Sequence, residues 1–187
     1  MKDCDSQKRR NIDVVKVIPY NIFLIGFMGS GKSTVARQLS PMIAMDVIEM
    51  DQEIVRRERM SIPDIFTEYG ESYFRDLETK LLVEMRERSN VIVSCGGGVA
   101  LREENVEEMK KSGRVVWLTA RPETILERVR NNKERPLLDG NMTIEYIQSM
   151  MEKRHTKYAA AAEVIIDTDE KDLYTICEEI IQRLRQI

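Results

Sequence analysis

Apolar residues fall along this chain in two alternating rhythms. Short β-branched runs occupy Asn21 to Ile25, Met45 to Ile48, Val91 to Ser94, Val115 to Leu118 and Val164 to Ile166. They are continuous rather than alternating, which predicts five strands buried on both faces. Between them lie longer stretches with helical spacing. From about residue 171 to 185, Leu173, Ile176, Ile180 and Leu184 share one stripe with charges opposite, so a helix packed on the sheet is expected. Ser61 is set to cap a short helix with Pro63 and Asp64 in its first turn, ending at Gly70. Phe74, Leu77, Leu81 and Met85 mark the buried face of a further helix. Pro41 should end or kink, near Ser40, the helix that follows the first strand. Strands alternating with helices predict an α/β, doubly wound fold: a five-stranded parallel sheet with helices on both faces.

The polar remainder shapes the boundaries. Residues 1–19 are mostly polar, with one short apolar run from Val14 to Ile18 and a break at Pro19; they read as a flexible N-terminal extension before a single domain at 20–187. At 187 residues the chain is long enough to bury about 70% of its unfolded surface in one core. The 29 basic and 32 acidic residues are intermixed and leave a formal charge of −3, so no general basic surface for nucleic acid or an anionic membrane is expected. Cys4, Cys95 and Cys177 are an odd number at wide spacing, without the close pairs of a zinc site or disulfide framework. No stretch approaches a membrane span, and MKDCDSQKRRNID lacks the apolar core of a signal peptide. A cytoplasmic protein is expected.

An anion must therefore be captured locally, and one segment is built for it. After the strand ending at Ile25, residues Gly26 to Ser33 match G-x-x-x-x-G-K-[ST] at every fixed position and lead into a helical pattern. The glycines permit backbone conformations in which successive N–H groups point inward at phosphates. Lys32 reaches the β- and γ-phosphates, Ser33 offers its hydroxyl to Mg²⁺, and the helix start adds its positive dipole end. ATP as its Mg²⁺ complex is the nucleotide expected.

Three other groups bear on the second substrate. Glu49 and Asp51 are alternate residues at the end of the second strand, which puts two carboxylates on one side; one near the metal and one near an acceptor hydroxyl would suit phosphoryl transfer, and a solvated acidic turn is the alternative. Arg75 and Glu78 are neighbours on a helix, arranged either to grip a carboxylate with Glu78 holding the guanidinium or as a surface ion pair. Gly96, Gly97 and Gly98 follow the third strand, where they either admit a ligand close to the backbone or form a flexible turn. His155, the methionines, Cys95 and Trp117 read as packing residues.

Taken in order, these pieces resemble the shikimate kinase family from about Tyr20 to Ile187. The phosphate loop GFMGSGKST is followed by an acidic pair, S-I-x-D-I-F with G-E-x-x-F-R-x-x-E, a GGG turn, R-P-L-L and R-x-x-x-Y. The resemblance implies a P-loop kinase of the nucleoside-monophosphate-kinase type that transfers phosphate from ATP to the 3-hydroxyl of shikimate in aromatic amino-acid biosynthesis, acting as a monomer on small molecules. It makes Lys32, Asp51 and Arg135 catalytic. It assigns Gly29, Ser30, Gly31, Lys32, Ser33, Thr34, Arg128 and Arg135 to the nucleotide, with Arg128 against the adenine. Asp51, Arg75, Gly96, Gly97, Gly98 and Arg154 fall to shikimate, and Ser33 and Glu49 to the metal. It implies a substrate-binding segment at about 49–80 and a mobile lid at about 131–141, a stretch rich in Asn, Lys, Asp and Gly. Two positions depart from the pattern: Glu49 stands where an aspartate is usual, one methylene longer, and Leu173 where a proline is common. A kinase for gluconate or a nucleoside monophosphate, and a nucleotide-binding switch without turnover, are the competing readings. The pair Arg75 and Arg154 speaks for a carboxylate acceptor against the first, and only Glu49 favours the second.

Overall fold

Each of the five apolar runs is a strand: β1 (Asn21–Ile25), β2 (Asp46–Glu49), β3 (Val91–Ser94), β4 (Gly113–Thr119) and β5 (Val164–Asp167). The computed structural model describes residues 18–130 and 143–187. All strand pairs are parallel and the order is β2-β3-β1-β4-β5. Strand β1 is therefore central, and the chain leaves it for one side of the sheet and later crosses to the other. Ligands of open α/β sheets sit at such a reversal, beyond the carboxyl ends of the strands.

Among the described residues, seven helices connect and cover the strands: α1 (Lys32–Ile43), α2 (Met50–Glu58), α3 (Ile62–Glu84), α4 (Glu103–Ser112), α5 (Pro122–Arg130), α6 (Ile144–Ala161) and α7 (Leu173–Leu184). One face of the sheet, through Ile22, Leu24, Ile92, Val116 and Ile166, packs on Val35 and Leu39 of α1 and on Ile176 and Ile180 of α7. The other, through Phe23, Ile25, Val93, Val115 and Trp117, packs on Ile54, Phe74, Leu81, Met109 and Tyr158. Among the described residues no helix is long and apolar enough to cross a membrane. Buried Asn21 ties the start of β1 to the connection before β3: its Nδ2 donates to Met85 O and Arg88 O, and its Oδ1 accepts from Val91 N.

The helix signals hold, with one shift at the end of α1. Helix α1 runs through Pro41 to Ile43 instead of ending near Ser40. Proline there removes a hydrogen bond only in the last turn, and Ala44 closes the helix in the left-handed region, its N–H donating to Ser40 O. The helix capped by Ser61, whose Oγ accepts from Asp64 N at 3.2 Å, ends its regular turns at Gly70, as its sequence signals. Gly70 is non-helical at φ 81° and ψ 168°, and the further helix runs on from this kink to Glu84, so that α3 is two helices joined end to end. Ile18, read from the sequence as part of the extension, is buried against the α1 and α7 side of the core. Residues 1–17 of that extension, the lid at 131–141 and Arg135 lie outside the described residues.

Candidate active site

The phosphate loop takes its shape from glycine at positions where another residue would fail. Gly26 sits at φ +143°, and a Cβ there would lie 2.4 Å from Leu118 O of the neighbouring strand. Gly31 sits at φ +95° with open space around it, so it is conformation and not crowding that calls for glycine. Ser30 N donates to Phe27 O at 3.1 Å and closes the loop. Gly31 is also the N-cap of α1 and supplies no side chain to it, which leaves the first-turn N–H groups and the dipole's positive end available to an anion. Lys32 is buried and spans the loop, donating to Gly26 O at 2.9 Å and Phe27 O at 3.0 Å. Thr34 is exposed in the first turn of α1.

Ser33 and Glu49 meet. Ser33 Oγ donates to Glu49 Oε2 at 2.8 Å and lies 3.2 Å from Ser94 Oγ. The longer side chain of Glu49 thus reaches the loop hydroxyl from the last residue of β2. A carboxylate and hydroxyls gathered beside a phosphate loop are hard oxygen donors, the set Mg²⁺ prefers when nucleotide phosphates and water complete its shell; the residues fit the ion. The acidic pair is not two alternate strand residues, as its spacing had suggested. Glu49 ends β2, whereas Asp51 lies in the first turn of α2, so the chain turns between them and the two carboxylates face different partners.

Asp51 faces the glycine turn. A Cβ on Gly96 would lie 2.9 Å from Asp51 Oδ1 and 2.5 Å from Glu78 Oε1, so two carboxylates from α2 and α3 flank one backbone carbon. Glu78 has no exposed surface. Its Oε2 accepts from Arg75 Nη1 at 2.8 Å, while Oε1 is buried without a hydrogen-bond partner. Burial is the main cause that pushes the Glu78 carboxyl up to about 7, Arg75 partly offsetting it and Asp51 adding to it. Arg75 is further fixed by Glu71 Oε1, at 3.1 Å from Nε and 2.7 Å from Nη2. Its guanidinium lies on Gly98, where a Cβ would come within 2.3 to 2.6 Å of Nη1, Cζ and Nη2.

These glycines have negative or extended φ, unlike those of the phosphate loop. Gly96 and Gly98 are needed because the chain's own charged side chains press on them, a reason that glycine spacing alone does not reveal. Gly97 is not crowded in this way. Its carbonyl accepts from Tyr158 Oη at 2.6 Å and from Arg154 Nη1 at 3.4 Å, both on α6. Arg154 Cζ also stands 5.4 Å from the Phe27 ring centre. The loop residue Phe27 and Arg154 are thus in contact. Phe27, Tyr158 and Ser94 drew no role from the sequence, although Phe27 occupies a free position of the phosphate-loop pattern and Tyr158 is the tyrosine of R-x-x-x-Y.

On the other side of the loop, Arg128 of α5 donates to Thr168 Oγ1 at 3.0 Å, Thr168 O at 3.2 Å and Gly29 O at 3.5 Å. His155 packs edge-on against Trp117 at 5.2 Å between ring centres, in keeping with a packing role. A cavity of about 580 Å³ opens between β4, α5 and α6 along Phe27, Trp117, Met151 and His155; Asp51, Arg75 and the glycine turn do not line it.

This geometry has relatives. Residues 28–185 match the family model described as shikimate kinase. A shikimate kinase from Persephonella marina is 44% identical over 165 residues, covering 88% of this chain and 99% of that protein. The structure of shikimate kinase from Acinetobacter baumannii in complex with shikimate superimposes with a TM-score of 0.83 at 32% identity, covering 89% of this chain and 93% of that one. That of shikimate kinase from Aquifex aeolicus gives 0.76 at 39% identity, covering 88% and 96%. With the family model spanning most of the fold and relatives matched over nearly their whole length, this chain belongs to the shikimate kinase family.

Proposed function

We propose that the chain transfers the γ-phosphoryl group of ATP to the 3-hydroxyl of shikimate, giving shikimate 3-phosphate and ADP. The observation that carries this reading is the meeting of Asp51, the Glu78-held Arg75 and Arg154 at one glycine turn beside the phosphate loop. Shikimate has one carboxylate and a set of hydroxyls. Two guanidiniums suit the carboxylate, since each offers a planar fork of donors, and Asp51 suits a hydroxyl.

In the reaction the acceptor oxygen forms a bond to the γ-phosphorus as the bond to the β,γ-bridging oxygen breaks, ADP leaves, and the hydroxyl proton passes to Asp51. Arg75 and Arg154 hold the acceptor at its carboxylate. The turn from Gly96 to Gly98 lets the acceptor ring approach the backbone. Lys32, Gly29, Ser30, Gly31 and Thr34 hold the phosphates, and Arg128 packs on the adenine. Ser33 and Glu49 hold Mg²⁺, which when bound with ATP neutralises charge on the transferring group. Arg135 supplies a further positive charge for the transferring group. The enzyme works as a cytoplasmic monomer on these small molecules, with neither nucleic acid nor membrane as partner.

ADP release measured with shikimate, gluconate and a nucleoside monophosphate as acceptors tests the reading. Release that depends on shikimate and exceeds that with the others supports it. Equal release with all three, or none with shikimate, overturns it.

A further inference from the structure

The contacts of Arg128 single out Thr168. Thr168 follows β5 and is buried, with 2% of its surface exposed. Its hydroxyl donates to Thr119 O at 2.9 Å and its backbone N–H donates to the same carbonyl at 3.0 Å. With its one proton directed at Thr119, the hydroxyl oxygen has only lone pairs to offer, and Arg128 Nη1 takes them at 3.0 Å. Arg128 Nη2 binds Thr168 O at 3.2 Å, and Nη1 approaches Gly29 O at 3.5 Å. One buried residue thus joins the carboxyl end of β4, the end of β5, helix α5 and the phosphate loop.

The chemistry of the hold matters as much as its position. The three oxygens that meet the guanidinium are neutral, so its charge is not cancelled as it would be by a carboxylate. Hydrogen bonds from Nη1 and Nη2 lie in the guanidinium plane, which leaves the faces free, and Arg128 is exposed. A cationic plane with an open face beside a phosphate loop is suited to stack on an electron-rich aromatic ring. An unheld arginine would lose rotamer freedom to reach the same pose.

We propose that Thr168 is a positioning residue for the nucleotide base: it fixes the plane of Arg128 relative to Gly29, and so lowers the cost of base stacking in ATP binding without touching the acceptor site. The inference rests on the reading of Arg128 as the adenine-packing residue.

The test compares Thr168→Val, Thr168→Ser, Arg128→Ala and the double variant Thr168→Val with Arg128→Ala, by steady-state kinetics and thermal unfolding. Valine keeps the volume and the N–H bond to Thr119 while deleting the hydroxyl. The expected result is a KM for ATP raised about tenfold in Thr168→Val, from the loss of a hydrogen bond to a charged group, with kcat and the acceptor KM within about twofold. Thr168→Ser should restore the KM for ATP. In the Arg128→Ala background Thr168→Val should add nothing, since the residue acts through the arginine. If Arg128→Ala raises the ATP KM and Thr168→Val does not, the positioning role is wrong and the adenine reading stands. If Arg128→Ala leaves the ATP KM unchanged, the adenine reading itself falls. If Thr168→Val lowers the unfolding temperature and acts equally in both backgrounds, the residue is structural only and the proposal is overturned.

Discussion

The phosphate loop and the acceptor cluster lie side by side yet are built on opposite plans. The loop is local: eight consecutive residues, shaped by positive φ at Gly26, Gly29 and Gly31, present mainly backbone N–H groups and one lysine. The acceptor cluster is assembled from α2, α3, the turn after β3 and α6, and it works through charged side chains. One of these, Glu78, is fully buried. A backbone site depends on conformation and tolerates change in its neighbours. A side-chain site depends on what its neighbours leave room for, which is why Gly96 and Gly98 matter through Asp51, Glu78 and Arg75 and not through their own dihedrals.

The largest effect that separates the two regions is expected from Lys32→Ala. Removing the one cation of the loop should lower kcat by about 10² to 10³-fold while the acceptor KM stays nearly constant; single-turnover phosphoryl transfer measures it. Next is Gly98→Ala. The added methyl would occupy the place of the Arg75 guanidinium, so kcat/KM for the acceptor should fall by about a hundredfold with the KM for ATP retained. A matching fall in ATP affinity would show that the regions are not separable in this way.

A smaller change, Arg75→Lys, keeps the charge and loses the fork. The acceptor KM should rise about tenfold with a lesser effect on kcat, as read from initial rates at saturating ATP.

The smallest effect concerns pH. Glu78 holds Arg75 when ionised, and its carboxyl is raised from 4.5 to about 7 by burial. As pH falls through about 7 the group takes up a proton, the hold on Arg75 weakens, and the acceptor KM should rise about threefold between about pH 8 and about pH 6. Stability runs the other way. A carboxyl whose folded-state value is raised favours the fold fully below 4.5 and loses that contribution as pH rises through about 7. Glu78→Gln should flatten both profiles, measured as acceptor KM and urea midpoint across this range.

The same contrast explains what the sequence revealed. The loop was legible to the residue because its chemistry is written in consecutive positions. Strands β1 and β3 were legible to their end residues, since each continuous run stops just short of a glycine turn. The end of α1 was not, because whether Pro41 breaks a helix depends on how many turns remain to lose a bond. The acceptor cluster was legible as a set of residues through resemblance, but not in its wiring. No spacing rule links Asp51 to Glu78 across two helices, or sets Phe27 against Arg154. The turn between Glu49 and Asp51 was hidden for a related reason: whether two alternate residues share a side depends on the strand continuing past the first.

The claim that Arg75 and Arg154 make this a site for a carboxylate-bearing acceptor is tested most directly by comparing shikimate with its carboxamide as acceptor, following ADP release in wild type and in Arg75→Lys. The account predicts that the wild type prefers shikimate by about a hundredfold or more, as expected when a guanidinium fork meets a neutral amide in place of a carboxylate, and that Arg75→Lys narrows the preference. Equal rates with the two acceptors in the wild type would contradict it.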